Sequence, residues 1–261
     1  MIVRVLALVL LLALPRLASG ATAPDLSGVA FEQRPGAQIP LTAQLTDEDG
    51  REVQLSDLMA GKPLILTLIY FRCPNICGVA RDDLFGALAA SGMMPGRDYT
   101  LVTLSIDPSE TPADARYAKA GMLQRHSIRG AEPHWHFLTG SREALQAIKD
   151  AVGFHDRFDS DLKQIIHPVG VVFATPAGVV SSYVLGIGYE PADLRLGASR
   201  AAQGTIASAP SPVLLLCFDY DSVTGRYTVA IVKLLRLFAA LTVATIAVAL
   251  YLAFRRERMR G

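Results

Sequence analysis

The stretch Pro63-Leu-Ile-Leu-Thr-Leu-Ile-Tyr-Phe71 is an almost continuous apolar run, and Arg72-Cys-Pro-Asn-Ile-Cys-Gly78 follows it directly. An apolar run of this length, rich in branched side chains, predicts a strand that is buried on both faces. Pro74 suits the first turn of a helix because its φ is fixed near the helical value. Cys73 and Cys77 are therefore expected at the start of a helix that follows a buried strand.

Two thiols at the start of a helix have few chemical uses. Residues i and i+4 share a helix face, so both sulfurs can be directed at one point. The unpaired N–H groups and the dipole at this end of a helix favour thiolate, the form that binds metals and attacks disulfides. The spacing indicates either a soft-metal site or a dithiol that exchanges with disulfides, with a structural disulfide as the remaining alternative.

Strands and helices alternate on both sides of this stretch. The predicted strands are 41–46, 52–55, 64–71, 99–106, 134–138, 169–174, 179–185, 213–218 and 227–232. The predicted helices are 57–59, one that begins at the cysteine motif and runs to about 90, 112–125, one that Ser141 caps and that reaches 152, and one that starts near 191. This order predicts an α/β sandwich. It resembles the thioredoxin fold with an added N-terminal β-hairpin, which the first two strands form around a turn at 47–50.

The beginning of the chain has the layout of a secretory signal. Arg4 supplies a positive charge, the apolar stretch 5–14 follows, and small residues lie at 18–23. We therefore expect a signal peptide at 1–23, because a core of about ten apolar residues is too short to span a bilayer. Several Pro and Gly without periodicity predict a linker at 24–40.

The other end predicts a membrane anchor. The segment 237–254 contains no charged residue, and about 20 apolar residues span the hydrocarbon core, so we expect a transmembrane helix at 234–254. The basic tail at 255–261 belongs on the cytoplasmic side. The predicted localisation is a bacterial-type inner (cytoplasmic) membrane with a single C-terminal pass. The domain at 41–232 would then lie on the periplasmic side.

Composition excludes several classes of protein. A net charge of +1 argues against a strongly basic nucleic-acid binder. Three cysteines in an exported chain do not form a disulfide framework, and a close pair plus Cys217 indicates a site instead. Cys217 lies in an apolar run, and free cysteines are among the most buried residues, so we expect a core role for it.

Of the five histidines, His167 is the best candidate for a third ligand. Pro168 follows it and favours an extended conformation at the entry to the strand at 169–174. In thioredoxin-like scaffolds a proline at the start of that strand faces the cysteine motif, so a shared layout would set His167 opposite Cys73 and Cys77. Two thiolates and one imidazole suit copper, because soft sulfur selects Cu(I) and imidazole also binds copper.

His134 and His136 alternate across Trp135, so a strand would direct both imidazoles to one face. No third ligand is evident nearby, and polar positions on a strand are the more common explanation. A second metal site at these histidines is therefore the weaker hypothesis.

Four segments together resemble the Sco/SenC family. They are 71–77, 105–112, 135–140 and His167 before an apolar strand, in this order and at fitting separations. The similarity covers about 41–188. The resemblance implies a membrane-anchored, thioredoxin-like copper protein that assists assembly of the dinuclear copper centre of cytochrome c oxidase.

The resemblance also implies that Cys73, Cys77 and His167 bind one copper ion per chain. The expected partner is a copper-receiving subunit of a membrane-bound oxidase, and the protein would be a metallochaperone. The alternative is a thiol–disulfide oxidoreductase that reduces the cysteines of that partner. Cys73 would then attack and Cys77 would resolve the mixed disulfide. The two hypotheses differ at His167, because the reductase should tolerate its replacement.

Overall fold

The structure, a computed structural model, describes residues 27–72, 77–207, 218–221, 226–229, 238–239, 241–243 and 245–246. The strands are β1 (Ala30–Phe31), β2 (Leu45–Thr46), β3 (Glu52–Val53), β4 (Leu64–Ile69), β5 (Thr100–Ser105), β6 (Trp135–Gly140), β7 (Phe154–His155), β8 (Arg157–Asp159), β9 (Gln164–Ile166), β10 (Gly170–Ala174), β11 (Val180–Leu185), β12 (Phe218–Asp221) and β13 (Arg226–Val229). The helices are α1 (Leu55–Met59), α2 (Cys77–Ala90), α3 (Pro112–Arg125), α4 (Ala131–His134), α5 (Arg142–Val152) and α6 (Pro191–Ala202).

Seven strands form one central sheet in the order β11-β10-β4-β5-β6-β2-β3. Strands β4, β5 and β6 are parallel to one another. At one edge β10 is antiparallel to β4, and β11 is antiparallel to β10. At the other edge the β2–β3 hairpin pairs with β6. The prediction of an α/β fold with a central sheet is confirmed.

Alternate residues of the central strands face opposite sides of the sheet and form two hydrophobic cores. Leu64, Leu66 and Leu68 of β4 lie in one core, together with side chains of α1 and α5. Ile65 lies in the other, together with Phe85 of α2 and side chains of α3 and α6. Strand β4 is therefore buried on both faces, which explains its nearly continuous apolar sequence.

Part of the segment predicted as a linker packs on the domain. Strand β1 pairs with β7, so that Phe31 lies opposite Phe154. The two rings pack edge to face with centroids 5.3 Å apart, and both are buried. Ile39 is also buried. The sequence does not predict this packing, because a strand of two residues is too short to give a periodic pattern.

No helix in the described part of the chain is long and apolar enough to cross a bilayer. The predicted signal peptide at 1–23 and the tail at 255–261 lie outside the described residues, and the predicted span at 234–254 lies largely outside them. Cys217 lies outside them as well.

Helix α3 begins with a capping box that allows a direct test of its stability. The Thr111 hydroxyl accepts the N–H of Asp114, and the Asp114 carboxylate accepts the N–H of Thr111. We expect Thr111→Ala to lower the free energy of unfolding by about 1 kcal/mol, the usual cost of losing an N-cap side chain. Urea unfolding measures this change. Thr205→Ala, at an exposed threonine outside any helix, is the control, and an equal loss in both variants would contradict the capping role.

Candidate metal centre

The candidate site lies at the carboxyl end of β4. After Ile69 the chain passes through Tyr70 and a turn at Phe71 before it reaches the cysteine motif. Because β4 and β5 are parallel, Asp107, which follows β5, lies at the same edge of the sheet. Ligand sites of α/β sheets lie outside the carboxyl ends of their strands, so this edge is where a functional site is expected.

His167 lies in the three-residue connection between β9 and β10. In the antiparallel pairing of β10 with β4, Val171 lies opposite Thr67. In this antiparallel pairing, each residue nearer the start of β10 lies opposite one residue further along β4. If the register continues past the strand ends, His167 lies opposite position 71, two residues before Cys73. The rings of Tyr70 and His167 are in edge-to-face contact with centroids 5.8 Å apart. His167 therefore lies beside the segment that leads into the cysteine motif.

The His167 imidazole is oriented by its neighbours. Its Nδ1 lies 2.9 Å from the carbonyl oxygen of Pro168. A carbonyl oxygen only accepts hydrogen bonds, so Nδ1 carries the proton and Nε2 keeps the lone pair of the neutral ring. The ring of Phe154 packs on the imidazole with centroids 6.1 Å apart. Histidines that bind metals commonly donate their other ring N–H to a carbonyl group in this way.

The peptide bond between His167 and Pro168 is trans, since no peptide bond in the described ranges is cis. Pro168 itself is buried. The orientation of the imidazole is thus reached with an ordinary trans bond.

The two cysteines fall only in part within the described residues. The backbone of Cys77 lies in α2 and is its first described residue. Cys73 and the side chain of Cys77 lie outside the described residues. The triad of Cys73, Cys77 and His167 therefore stays a prediction.

A small cavity lies beside His167. Its volume is about 30 Å³, and Arg81 and Tyr189 are among its lining residues. Arg81 comes one turn after Cys77 on α2, and residues i and i+4 share a helix face. The helix face that contains positions 77 and 81 is thus the one that meets the cavity. We did not predict a role for Arg81, although its spacing from Cys77 is a usable signal.

Glu110 holds the segment that precedes Cys73. Its side chain is fully buried. Its Oε2 accepts the N–H of Phe71 at 2.8 Å, and its Oε1 accepts the N–H of Arg72 at 2.7 Å. The Ser105 hydroxyl also donates to Oε2, at 2.6 Å. Burial raises the pKa of Glu110, and these three hydrogen bonds lower it in part.

The Arg72 side chain makes a second connection between the same two segments. It is half exposed, and its guanidinium donates to the Ser109 hydroxyl at 2.8 Å. It also lies 3.7 Å from carboxylate oxygens of Asp107 and Glu110. In the sequence, Glu110 stands out only as part of the family motif at 105–112. Glu110 is 39 positions from Phe71 and 38 from Arg72 in sequence. Hydrogen bonds over such separations leave no local pattern from which this role could be predicted.

The other pair of histidines is arranged differently from the prediction. His134 ends α4, whereas His136 lies in β6, so the two do not alternate along one strand. Burial lowers the pKa of His136. Within the described ranges, which exclude Cys73 and the Cys77 side chain, no group of three or more His, Cys, Asp or Glu is placed to hold a metal. A second metal site at these histidines has no support.

Comparisons with known proteins point to one family. The sequence profile of the SCO1/SenC family matches residues 32–191, whereas a comparison with curated proteins gives no match. A solved protein from Aquifex aeolicus VF5, provisionally described as an electron transport protein, is 30% identical with a TM-score of 0.54, and the alignment covers 66% of this chain and 99% of that one. A second protein from the same organism, provisionally described as an electron transfer protein, is 28% identical with a TM-score of 0.57, over 66% and 96% of the chains.

Arabidopsis thaliana ScoI, solved with copper bound, is similar in fold. It is 22% identical with a TM-score of 0.50, and the alignment covers 65% of this chain and 98% of that one. The family resemblance predicted from four short segments thus agrees with both the family profile and the fold.

Proposed function

Because the chain belongs to the SCO1/SenC family, we propose that it is a copper-binding assembly factor. It binds one copper ion through the thiolates of Cys73 and Cys77 and the imidazole of His167. It then passes the copper, as cargo, to a subunit of a membrane-bound cytochrome c oxidase whose dinuclear copper centre is being assembled. The observation that carries the proposal is the position and orientation of His167 beside the strand end that leads to Cys73.

The available donors fit copper. Thiolate sulfur selects Cu(I), and imidazole binds copper in either oxidation state. The Nδ1–H of His167 is engaged by a backbone carbonyl, so Nε2 is the nitrogen that would coordinate. Arabidopsis ScoI, which has the same fold, was solved with copper bound. These observations support copper over a hard cation such as Mg²⁺, which prefers oxygen ligands.

The beginning of α2 would favour the thiolate forms that copper needs. Cys77 is its first described residue, and the positive end of a helix stabilises a nearby anion. Arg81 adds a positive charge at the cavity beside His167. Copper binding requires deprotonated thiols, so it should release protons and weaken as the pH falls.

The proposal includes a location for this chemistry. Export by a signal peptide at 1–23 and anchoring by a helix at 234–254 would hold the domain at 41–232 on the periplasmic face of the inner membrane. The support is the sequence, because 237–254 has no charged residue and 255–261 is basic. Such an anchor would restrict the search for a membrane-bound oxidase to the plane of the bilayer.

A second candidate function is thiol–disulfide exchange. The two similar Aquifex proteins are described, provisionally, as electron transfer and electron transport proteins, which favours a redox role for the cysteine pair. The Cys73 thiolate would attack a partner disulfide, and Cys77 would then form the intramolecular disulfide and release the partner as a dithiol. Two electrons pass from this chain to the partner in that exchange.

X-ray absorption on the full reduced chain, loaded with Cu(I) in detergent, tests the proposed function. We expect one copper per chain, with two sulfur neighbours and one nitrogen neighbour. Copper that dialyses away, or that has only oxygen and nitrogen neighbours, would reject the copper function. A mixed disulfide trapped through Cys73 in a chain that binds no copper would favour the reductase instead.

A further inference from the structure

Strand β4 ends at Ile69, just before the cysteine motif. The Ile106 N–H donates to the Ile69 carbonyl at 2.8 Å. Tyr70 comes next, and the two residues after it, Phe71 and Arg72, form a turn. Both of their N–H groups donate to the Glu110 carboxylate. Successive N–H groups of a strand point to opposite sides. Here the two N–H groups converge on one carboxylate, so the chain has left the strand conformation. The Glu110 carboxylate holds the turn that results.

The cost of this arrangement argues that the turn needs to be held closely. Burying a carboxylate is unfavourable unless hydrogen bonds satisfy it, and the side chain of Glu110 is fully buried. Each of its oxygens accepts at least one bond, and Ser105 supplies a third. An exposed turn of the same shape could bind water in place of a buried acid.

We propose that Glu110 is a positioning residue for the metal centre, in which it holds Phe71 and Arg72 so that Cys73 is presented at a fixed place relative to His167. His167 packs on Tyr70, and Cys73 directly follows Arg72. His167 thus contacts the first residue of the segment 70–72, and Cys73 follows its last residue. Glu110 fixes the conformation of this segment through its hydrogen bonds to Phe71 and Arg72. This inference rests on the proposed function.

Glu110→Gln tests the inference in the full chain. The amide keeps the size of the side chain but replaces one acceptor oxygen with an NH₂ group, which in either orientation would face a backbone N–H donor, that of Phe71 or that of Arg72. Competition against a Cu(I) chelator should show an affinity about 10- to 100-fold lower, the usual effect of changing a group that orients a metal ligand. X-ray absorption should show fewer sulfur neighbours around the copper. Affinity and spectrum equal to those of the wild type would overturn the proposal.

Asp47→Ala is the matched control for a purely structural effect. Asp47 also accepts two backbone N–H groups, those of Asp49 and Arg51, at 2.9 and 2.8 Å. It lies in the β2–β3 turn, at the edge of the sheet away from β4 and β10. We expect it to destabilise the fold and to leave copper affinity unchanged. If it lowers the affinity as much as Glu110→Gln does, loss of stability explains both variants and the positioning role is rejected.

A second variant covers the case in which Glu110→Gln does not fold. Glu110→Asp keeps the charge but shortens the side chain by one methylene, so one carboxylate can no longer reach both N–H groups. It should also lower copper affinity, and wild-type affinity in this variant would overturn the proposal.

Failure of the proposed function would be recognised separately. If the wild-type chain binds no copper, the copper function is rejected. The positioning role of Glu110 is then tested without metal by two measurements: the hydrogen-exchange rates of the Phe71 and Arg72 amides, and the ratio of the alkylation rates of Cys73 and Cys77. Glu110→Gln should raise the exchange rates and change the alkylation ratio. Unchanged values would reject the positioning role as well.

Discussion

Single replacement of Cys73, Cys77 or His167 by alanine is expected to weaken Cu(I) binding by at least about 100-fold, more than the 10- to 100-fold effect of residues that only orient ligands. Each variant removes one of three donors, and a two-coordinate remnant cannot restore the lost bond. His167→Ala removes the imidazole whose Nδ1 is held by Pro168. Competition titration of the reduced full chain against a Cu(I) chelator measures the three affinities.

Two control variants make this test specific. His134→Ala removes an exposed histidine that ends α4, and Cys217→Ala removes the cysteine outside the motif. Both should keep wild-type affinity. Wild-type affinity in all three ligand variants would reject the triad. His167→Ala also separates the two candidate functions, because it should weaken copper binding by at least about 100-fold yet leave dithiol exchange through Cys73 and Cys77 intact.

Trp135→Ala is expected to lower the free energy of unfolding by about 3–5 kcal/mol, the range found when a large buried aromatic residue is removed. The Trp135 side chain is fully buried, and its Nε1–H donates to the Thr103 hydroxyl at 2.8 Å. Its ring packs on Phe85 and Phe137, with centroids 4.4 and 5.0 Å away. The replacement leaves a cavity between the sheet and α2 together with a lost buried hydrogen bond. Urea unfolding followed by circular dichroism measures the change.

Tyr117→Ala is the control for the core variant, since this aromatic side chain is 85% exposed. Surface substitutions usually change stability by less than about 0.5 kcal/mol. A similar loss in both variants would mean that Trp135 does not contribute as a core residue. Because domains are stable by only about 5–15 kcal/mol, the Trp135 variant should be studied at low temperature.

The central strands could be predicted from the sequence for a physical reason. Strands β4 and β5 are buried on both faces, and such strands are continuous apolar runs. The start of α3 was also predictable, because Thr111 and Pro112 are an N-cap and a first helical residue. Signals of this kind depend only on neighbouring residues.

Strands β8 and β9 could not be predicted in the same way. Each has three residues, and most of their positions are only partly buried, so neither gives an apolar run nor a clear alternation. Strands β1 and β7 have two residues each and pair across more than 120 positions. Pairings of this kind depend on the tertiary fold.

The same difference between local and distant signals decides which residues of the candidate site could be predicted. His167 could be identified from Pro168 and the apolar strand after it, both of which are local features. Glu110 could not, because its partners at Phe71 and Arg72 are distant in sequence. A family motif marks Glu110 but does not say which atoms it contacts.

The pairing of β1 with β7 affects how a soluble fragment should be cut. Phe31 packs on Phe154, and Phe154 in turn packs on the His167 imidazole. A fragment that begins at residue 41 would lose Phe31 and leave one side of Phe154 open to water. The loosened Phe154 ring would allow the His167 imidazole to rotate. The copper affinity measured on such a fragment would therefore be lower than that of the intact protein. Fragments for metal titration should therefore begin before residue 30.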